Sequence, residues 1–129
     1  MNEGYVDSIK MIYNVQILVL NPHGFDPWND YKMNLFQEAI ERLNIDIILL
    51  NEINLKCNTI NRNKMIQRMK KLGRETKLFI SDSEEWNTTK YNYLPGGILT
   101  VIRGKVAPLI QEDEIHYGKL GNFIVVKVK

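Results

Sequence analysis

The sequence predicts an α/β fold, and three observations carry the prediction. Two runs with the composition of buried strands, "VQILVLN" (Val15–Asn21) and "DIILLNEINL" (Asp46–Leu55), flank a stretch whose apolar residues recur at helical spacing. A second helical stretch follows the second strand. Further strand-like runs, "KLFIS", "GGILTVIRGKV" and "NFIVVKV", complete the chain. Strands and helices alternate first and strands dominate later, as in a layered α/β domain.

The first strand is rich in leucine and β-branched residues, the composition of a buried sheet element. "PHGFDPWND" then reads as a loop, with Pro22, Gly24 and Pro27 as turn formers. Leu35, Phe36, Ala39, Ile40 and Leu43 define a helix, with Asp30 as the expected N-cap. Ile47 to Leu50 are four apolar residues in a row, read as a strand buried on both faces. That strand ends in Asn51 and a carboxylate, Glu52. In open α/β sheets ligands gather outside the carboxyl ends of strands, so an acid delivered there raises a functional question.

Met65, Ile66, Met69 and Leu72 mark the second helix, with Gly73 placed to end it. The polar, aromatic segment Asp82–Gly96 is expected to be irregular and to lie near the strand-end cleft. Gly96 and Gly97 suit a tight strand entry or a close backbone approach.

At 129 residues the chain is expected to form one domain, 1–129, with 44% hydrophobic residues to build its core. A net charge of +2 does not by itself indicate nucleic acid. Cys57 is the only cysteine, which rules out an intrachain disulfide and a cysteine-rich zinc site and suits a reducing compartment. The N-terminal "MNEGYVDSIK" lacks the basic patch and apolar core of a signal peptide. No apolar run is long enough to span a bilayer. The expected location is therefore intracellular, in cytoplasm or nucleus, with no membrane partner.

Asn21 and Glu52 stand at equivalent places, each just beyond a predicted strand. One carboxylate beside an amide can hold Mg²⁺, which takes one or two protein carboxylates and keeps most of its waters. The ordinary alternative is a solvated strand-end acid and a turn-forming asparagine, and pattern alone favours it. His23 shares the loop and can reach a phosphate or simply face solvent, while His116 reads as a surface residue. Arg62, Lys64, Arg68, Lys70, Lys71, Arg74 and Lys77 form a basic cluster. Lys64, Arg68 and Lys71 are expected on a solvated face opposite the apolar one. Trp86, Tyr91 and Tyr93 either stack on bases or anchor the long loop. Cys57 reads as structural.

Taken in order, these pieces resemble the endonuclease/exonuclease/phosphatase superfamily. An Asn-x-x-Gly turn follows the first strand ("LNPHGF"), and an Asn-Glu pair ends the next ("DIILLNEINL"). A glycine pair then enters a hairpin ("LPGGILTVIRGKV"). "NEINLKCNT", "WNTT…YLPGG" and "GKLGNF" are most similar to the endonuclease domains of LINE-type retrotransposons. The resemblance implies a two-sheet α/β sandwich, with Glu52 as the Mg²⁺-ligating carboxylate and Asn21 supporting the active site and the scissile phosphate. It covers most of this chain but about the first half of the family's domain.

The family's mid-domain Asp-x-Asn pair and its late histidine, the general base, have no counterpart in this sequence. Ile53 stands where many relatives carry threonine. The expectation is the N-terminal part of a Mg²⁺-dependent phosphodiesterase or endonuclease domain, truncated after that half and inactive alone. The alternative is a non-catalytic nucleic-acid-binding or protein-interaction module on the same half-fold. DNA and a complementing C-terminal half or second chain are the partners implied.

Overall fold

The computed structural model describes residues 14–73, 75–81, 95–118 and 124–127. Its elements run β1 (Ile17–Leu20), α1 (Asp30–Arg42), β2 (Ile47–Asn51), α2 (Thr59–Lys70), β3 (Thr76–Ser81) and β4 (Ile98–Arg103). Two 3₁₀ turns, Gly104–Leu109 and Glu112–Glu114, lead to β5 (His116–Tyr117) and β6 (Ile124–Val125). The protein is α/β, with a mixed four-stranded sheet, a two-stranded sheet and two helices packed on the larger one. Strand order in that sheet is β1-β2-β4-β3. β1 and β2 are parallel, and β4 runs antiparallel to both β2 and β3.

Local chemistry explains the helix ends. Asn29, one residue before the expected Asp30, caps α1 by accepting the Lys32 N–H. Asn58 caps α2 in the same way, accepting the Asn61 N–H. Gly73 follows α2 with φ +145°, a conformation that a side chain would strain. The predicted strand "GGILTVIRGKV" ends earlier than expected, at Arg103. Gly104 turns the chain at φ +67°, and Pro108, which has no N–H to offer a ladder, lies in the 3₁₀ turn.

Alternation along the strands gives the sheet two faces. Leu18, Ile48, Leu50, Leu99, Val101 and Ile80 point toward the helices and join the main core with Ile40, Met65 and Met69. Phe79 and Ile102 point the other way, against Val106, Ala107 and Ile110. The buried face of α1 is Met33 and Ile40 with half-buried Phe36, whereas Leu35 and Leu43 are about half exposed. Two overlapping apolar stripes run along this helix. The Met33–Phe36–Ile40 stripe is the one seated on the sheet, with Phe36 edge-on to Phe25.

The largest departure from expectation is β1. Its composition predicts burial, yet Ile17 and Val19 are 55% and 66% exposed and only Leu18 is half-buried. β1 is an edge of the sheet, and its outward face lies away from the helices. Of the segment Asp82–Gly96, only Pro95 and Gly96 are described, so Trp86, Tyr91 and Tyr93 lie outside the described residues, as does Arg74. Among the described residues, no helix is long and apolar enough to cross a membrane.

Candidate functional site

Parallel pairing of β1 with β2 sets Leu20 opposite Leu50, so Asn21 and Glu52 leave neighbouring strand ends. The chain then turns sharply in both places. His23 and Glu52 have φ +50° and +49°, left-handed values uncommon outside glycine, and Asn54 follows at +51°. Such conformations cost on the order of 1–3 kcal/mol each and persist only where the surroundings impose them.

Those surroundings are a set of backbone clasps. Gly24 N–H donates to the Glu52 carbonyl at 3.0 Å, and Phe25 N–H to the Ile53 carbonyl at 2.8 Å. On the opposite side, Asn54 N–H donates to the Gly96 carbonyl at 2.9 Å, and Gly96 N–H returns a bond to Asn54 Oδ1. Ile53 N–H donates to the Gly97 carbonyl. The Glu52 segment is thus held between the loop after β1 and the glycine pair before β4.

The glycine pair has a steric reason. A Cβ on Gly97 would lie 2.8 Å from Ile53 Cγ1, and Ile53 is fully buried with no room to yield. Gly97 also has φ +89°. Ile53 therefore acts as an apolar anchor under Glu52.

Two side chains, His23 and Glu52, meet at this corner. Asn21 Oδ1 accepts the His23 N–H at 3.0 Å. His23 Nδ1 lies 3.6 Å from Glu52 Oε2, with both side chains largely in solvent. His23, which pattern reading left with two roles open, thus stands between the two, its backbone N–H held by Asn21 and its ring facing Glu52. Asn51 pairs with Ile98 and borders an open, mainly apolar hollow lined by Val19, Leu49 and Thr100. Among the described residues, no group of three or more His, Cys, Asp and Glu gathers to hold a metal. The donors present fit a hydrated divalent cation on one carboxylate. Asn21 Oδ1, which already accepts one bond, keeps a second lone pair for water or phosphate.

Of the face expected in solvent, Lys71 is exposed, whereas Lys64 is only half exposed and Arg68 turns inward. Arg68 is nearly buried, donating from Nε to the Pro27 carbonyl at 2.8 Å and from Nη2 to Asp30 Oδ1. On a helix of 3.6 residues per turn, Arg68 lies within roughly 60° of the buried Asn61–Met65–Met69 stripe, beside it and not opposite. Lys64 lies over the Trp28 ring, 5.1 Å from its centroid, and Lys77 pairs with Glu112. Trp28 Nε1–H donates to the buried Asn61 Oδ1, and Asn61 Nδ2 donates to the Lys56 carbonyl. Together Arg68, Lys64 and Asn61 fasten the loop after β1 onto α2. The Arg68 guanidinium, by hydrogen bond and by charge, holds the Asp30 carboxyl below its ordinary value.

Cys57 is buried, and its thiol contacts the Leu55 carbonyl. His116 is exposed, as expected, in a two-residue strand opposite Val125. Sequence reasoning missed Asn54 and the strut made by Arg68. Asparagine and a glycine pair 42 residues apart signal left-handed backbone singly but not their mutual bonding.

No protein-family model matches the chain, and no curated protein matches it.

Proposed function

We propose that the chain is the N-terminal part of a Mg²⁺-dependent phosphodiesterase of the endonuclease/exonuclease/phosphatase type, related to retrotransposon endonuclease domains. Glu52 is its cation ligand, and Asn21 orders the site and the scissile phosphate. The observation that supports this reading best is the joining of Asn21, His23 and Glu52 at adjacent parallel strand ends. A carboxylate set on a strained, clasped turn is held for a purpose that an ordinary surface acid does not need. The motif order of the sequence supplies the family.

Hydrolysis needs an activated water, a base to accept its proton, and stabilisation of the developing charge on phosphate. Mg²⁺ on Glu52 would supply part of the last. The Asp-x-Asn pair and late histidine that furnish the rest in relatives are absent from this sequence, and a missing general base costs roughly 10²–10⁴-fold. The chain alone is therefore inactive, and a C-terminal half or a second chain would complete it.

The purified chain, incubated with supercoiled plasmid and Mg²⁺, should leave the plasmid intact, while calorimetry should detect weak Mg²⁺ binding that Glu52→Gln abolishes. Mg²⁺-dependent nicking lost in Glu52→Gln would overturn the inactive reading. Absence of any Glu52-dependent cation binding would overturn the metal site.

A second reading, a non-catalytic nucleic-acid-binding module, draws on a different surface. Trp28 is half exposed beside Lys64 and Ile60, an aromatic and a cation at one open groove on α2. DNA binding that weakens steeply with salt and is unchanged in Glu52→Gln would favour it.

A further inference from the structure

We propose that the free edge of β1 is a self-recognition surface. A second copy of this chain adds its own β1 there, antiparallel, and joins the two four-stranded sheets into one. The proposal does not depend on the reading of Glu52.

The backbone supplies the bonds. β1 ends the strand order, and among the described residues no strand lies beyond it. The Gln16 carbonyl accepts the Asp46 and Ile47 N–H groups, so it faces β2. Backbone groups alternate from side to side along a strand, and Leu18 and Leu20 therefore face β2 as well. Ile17 and Val19 aim their N–H and C=O groups outward, and such an unpaired row is a template for another strand. A two-fold axis at Leu18 sets Ile17 of one copy opposite the second copy's Val19, and the reverse. Both become hydrogen-bonded pairs, so every outward group of β1 finds a partner. An axis at Ile17 or at Val19 would pair only half of them.

Side chains agree with the backbone. Ile17 and Val19 are more than half exposed, and across this junction they form the apolar cross-strand pairs that stabilise a sheet. Charge decides the occupant. A symmetric interface sets each charge beside its own copy, so an edge built for self-pairing must be neutral. Residues 14–21, "NVQILVLN", include no charged residue and no proline, the devices with which sheet edges are ordinarily guarded. β3, the opposite edge, carries Lys77 and packs against β6 and the 3₁₀ turn Gly104–Leu109. The pairing therefore uses one edge of each copy and closes at two. With one short strand from each side, association is weak and depends on concentration.

The test follows the whole chain by sedimentation velocity from low-micromolar to near-millimolar concentration. We expect a monomer–dimer equilibrium. Val19→Lys brings a like charge from each copy to the junction and should weaken the dimer about fivefold or more. Val19→Pro removes an outward N–H, a change that an edge strand tolerates, and should weaken it as well. Both variants leave the β1–β2 ladder in place, so circular dichroism of the dilute protein should match wild type. Mixing Val19→Lys with Ile17→Glu sets opposite charges across the junction and should restore a mixed dimer.

A wild-type chain that stays monomeric throughout would overturn the proposal and leave the edge to a strand of another protein. A dimer undiminished in both Val19 variants would overturn it too, by placing the contact elsewhere. A mixture that fails to associate would overturn the register that sets Ile17 opposite Val19.

Discussion

The two faces of the four-stranded sheet are built from similar residues and end in different surroundings. On the helix side, Ile48, Leu50, Leu99 and Val101 are fully buried under α1 and α2. On the other side, Phe79 and Ile102 are covered by the 3₁₀ turn, while Ile17 and Val19 stand in solvent. Composition is the same on both faces, so composition does not decide burial. What decides it is which strand is an edge and what packs on each side.

That contrast can be broken by substitution. Leu50→Ala removes a fully buried side chain from the sealed face and should cost about 2–5 kcal/mol in a denaturant titration. Val19→Thr, on the open face, should cost less than about 0.5 kcal/mol. Equal costs would mean that the open face is covered in solution.

A second substitution sharpens the contrast at the corner where the two strands end. Gly97→Ala places a methyl group against buried Ile53 at a left-handed position and should cost about 2–4 kcal/mol. Glu52-dependent cation binding should weaken with it, because the clasped segment must shift. Unchanged stability and binding would mean that the clasp is loose.

The smallest effect concerns pH. The Asp30 carboxyl is held below its ordinary value by Arg68, so folding gains from its ionised form. That gain is complete above the unfolded carboxylate value, about pH 4, and is lost as pH falls through the lowered folded value. Asp30→Asn should therefore be slightly less stable than wild type at neutral pH, with the difference closing below about pH 4. A difference that widens in acid would reverse the assignment.

Much of the element order was legible because periodicity is a local property. The Met65–Met69–Leu72 stripe, the Ile47–Leu50 run and the asparagine at each strand end all declare themselves within one element. The helix cap was displaced by one residue because Asn29 and Asp30 are both good caps and only geometry chooses between them. Arg68 was misread for another reason. A long side chain beside a buried stripe can turn inward when a carbonyl such as that of Pro27 is waiting, and that carbonyl is 41 residues away in sequence. The corner joining Asn21, His23 and Glu52 depends on the parallel register of β1 and β2, which no local pattern encodes.

The position of β4 has a consequence for how the protein is made. β4 is the last of the four strands in the chain, yet it lies between β2 and β3. Until residue 103 has left the ribosome, β2 and β3 have no strand between them and cannot join one sheet. β1 and β2 can pair early, but a two-stranded parallel unit is marginal in water. Meanwhile Ile48 and Leu50 wait without the neighbouring strand that completes their cover. Sheets closed by distant segments form slowly and leave apolar surface uncovered for that interval. The yield of folded chain should therefore respond to the rate at which β4 is translated.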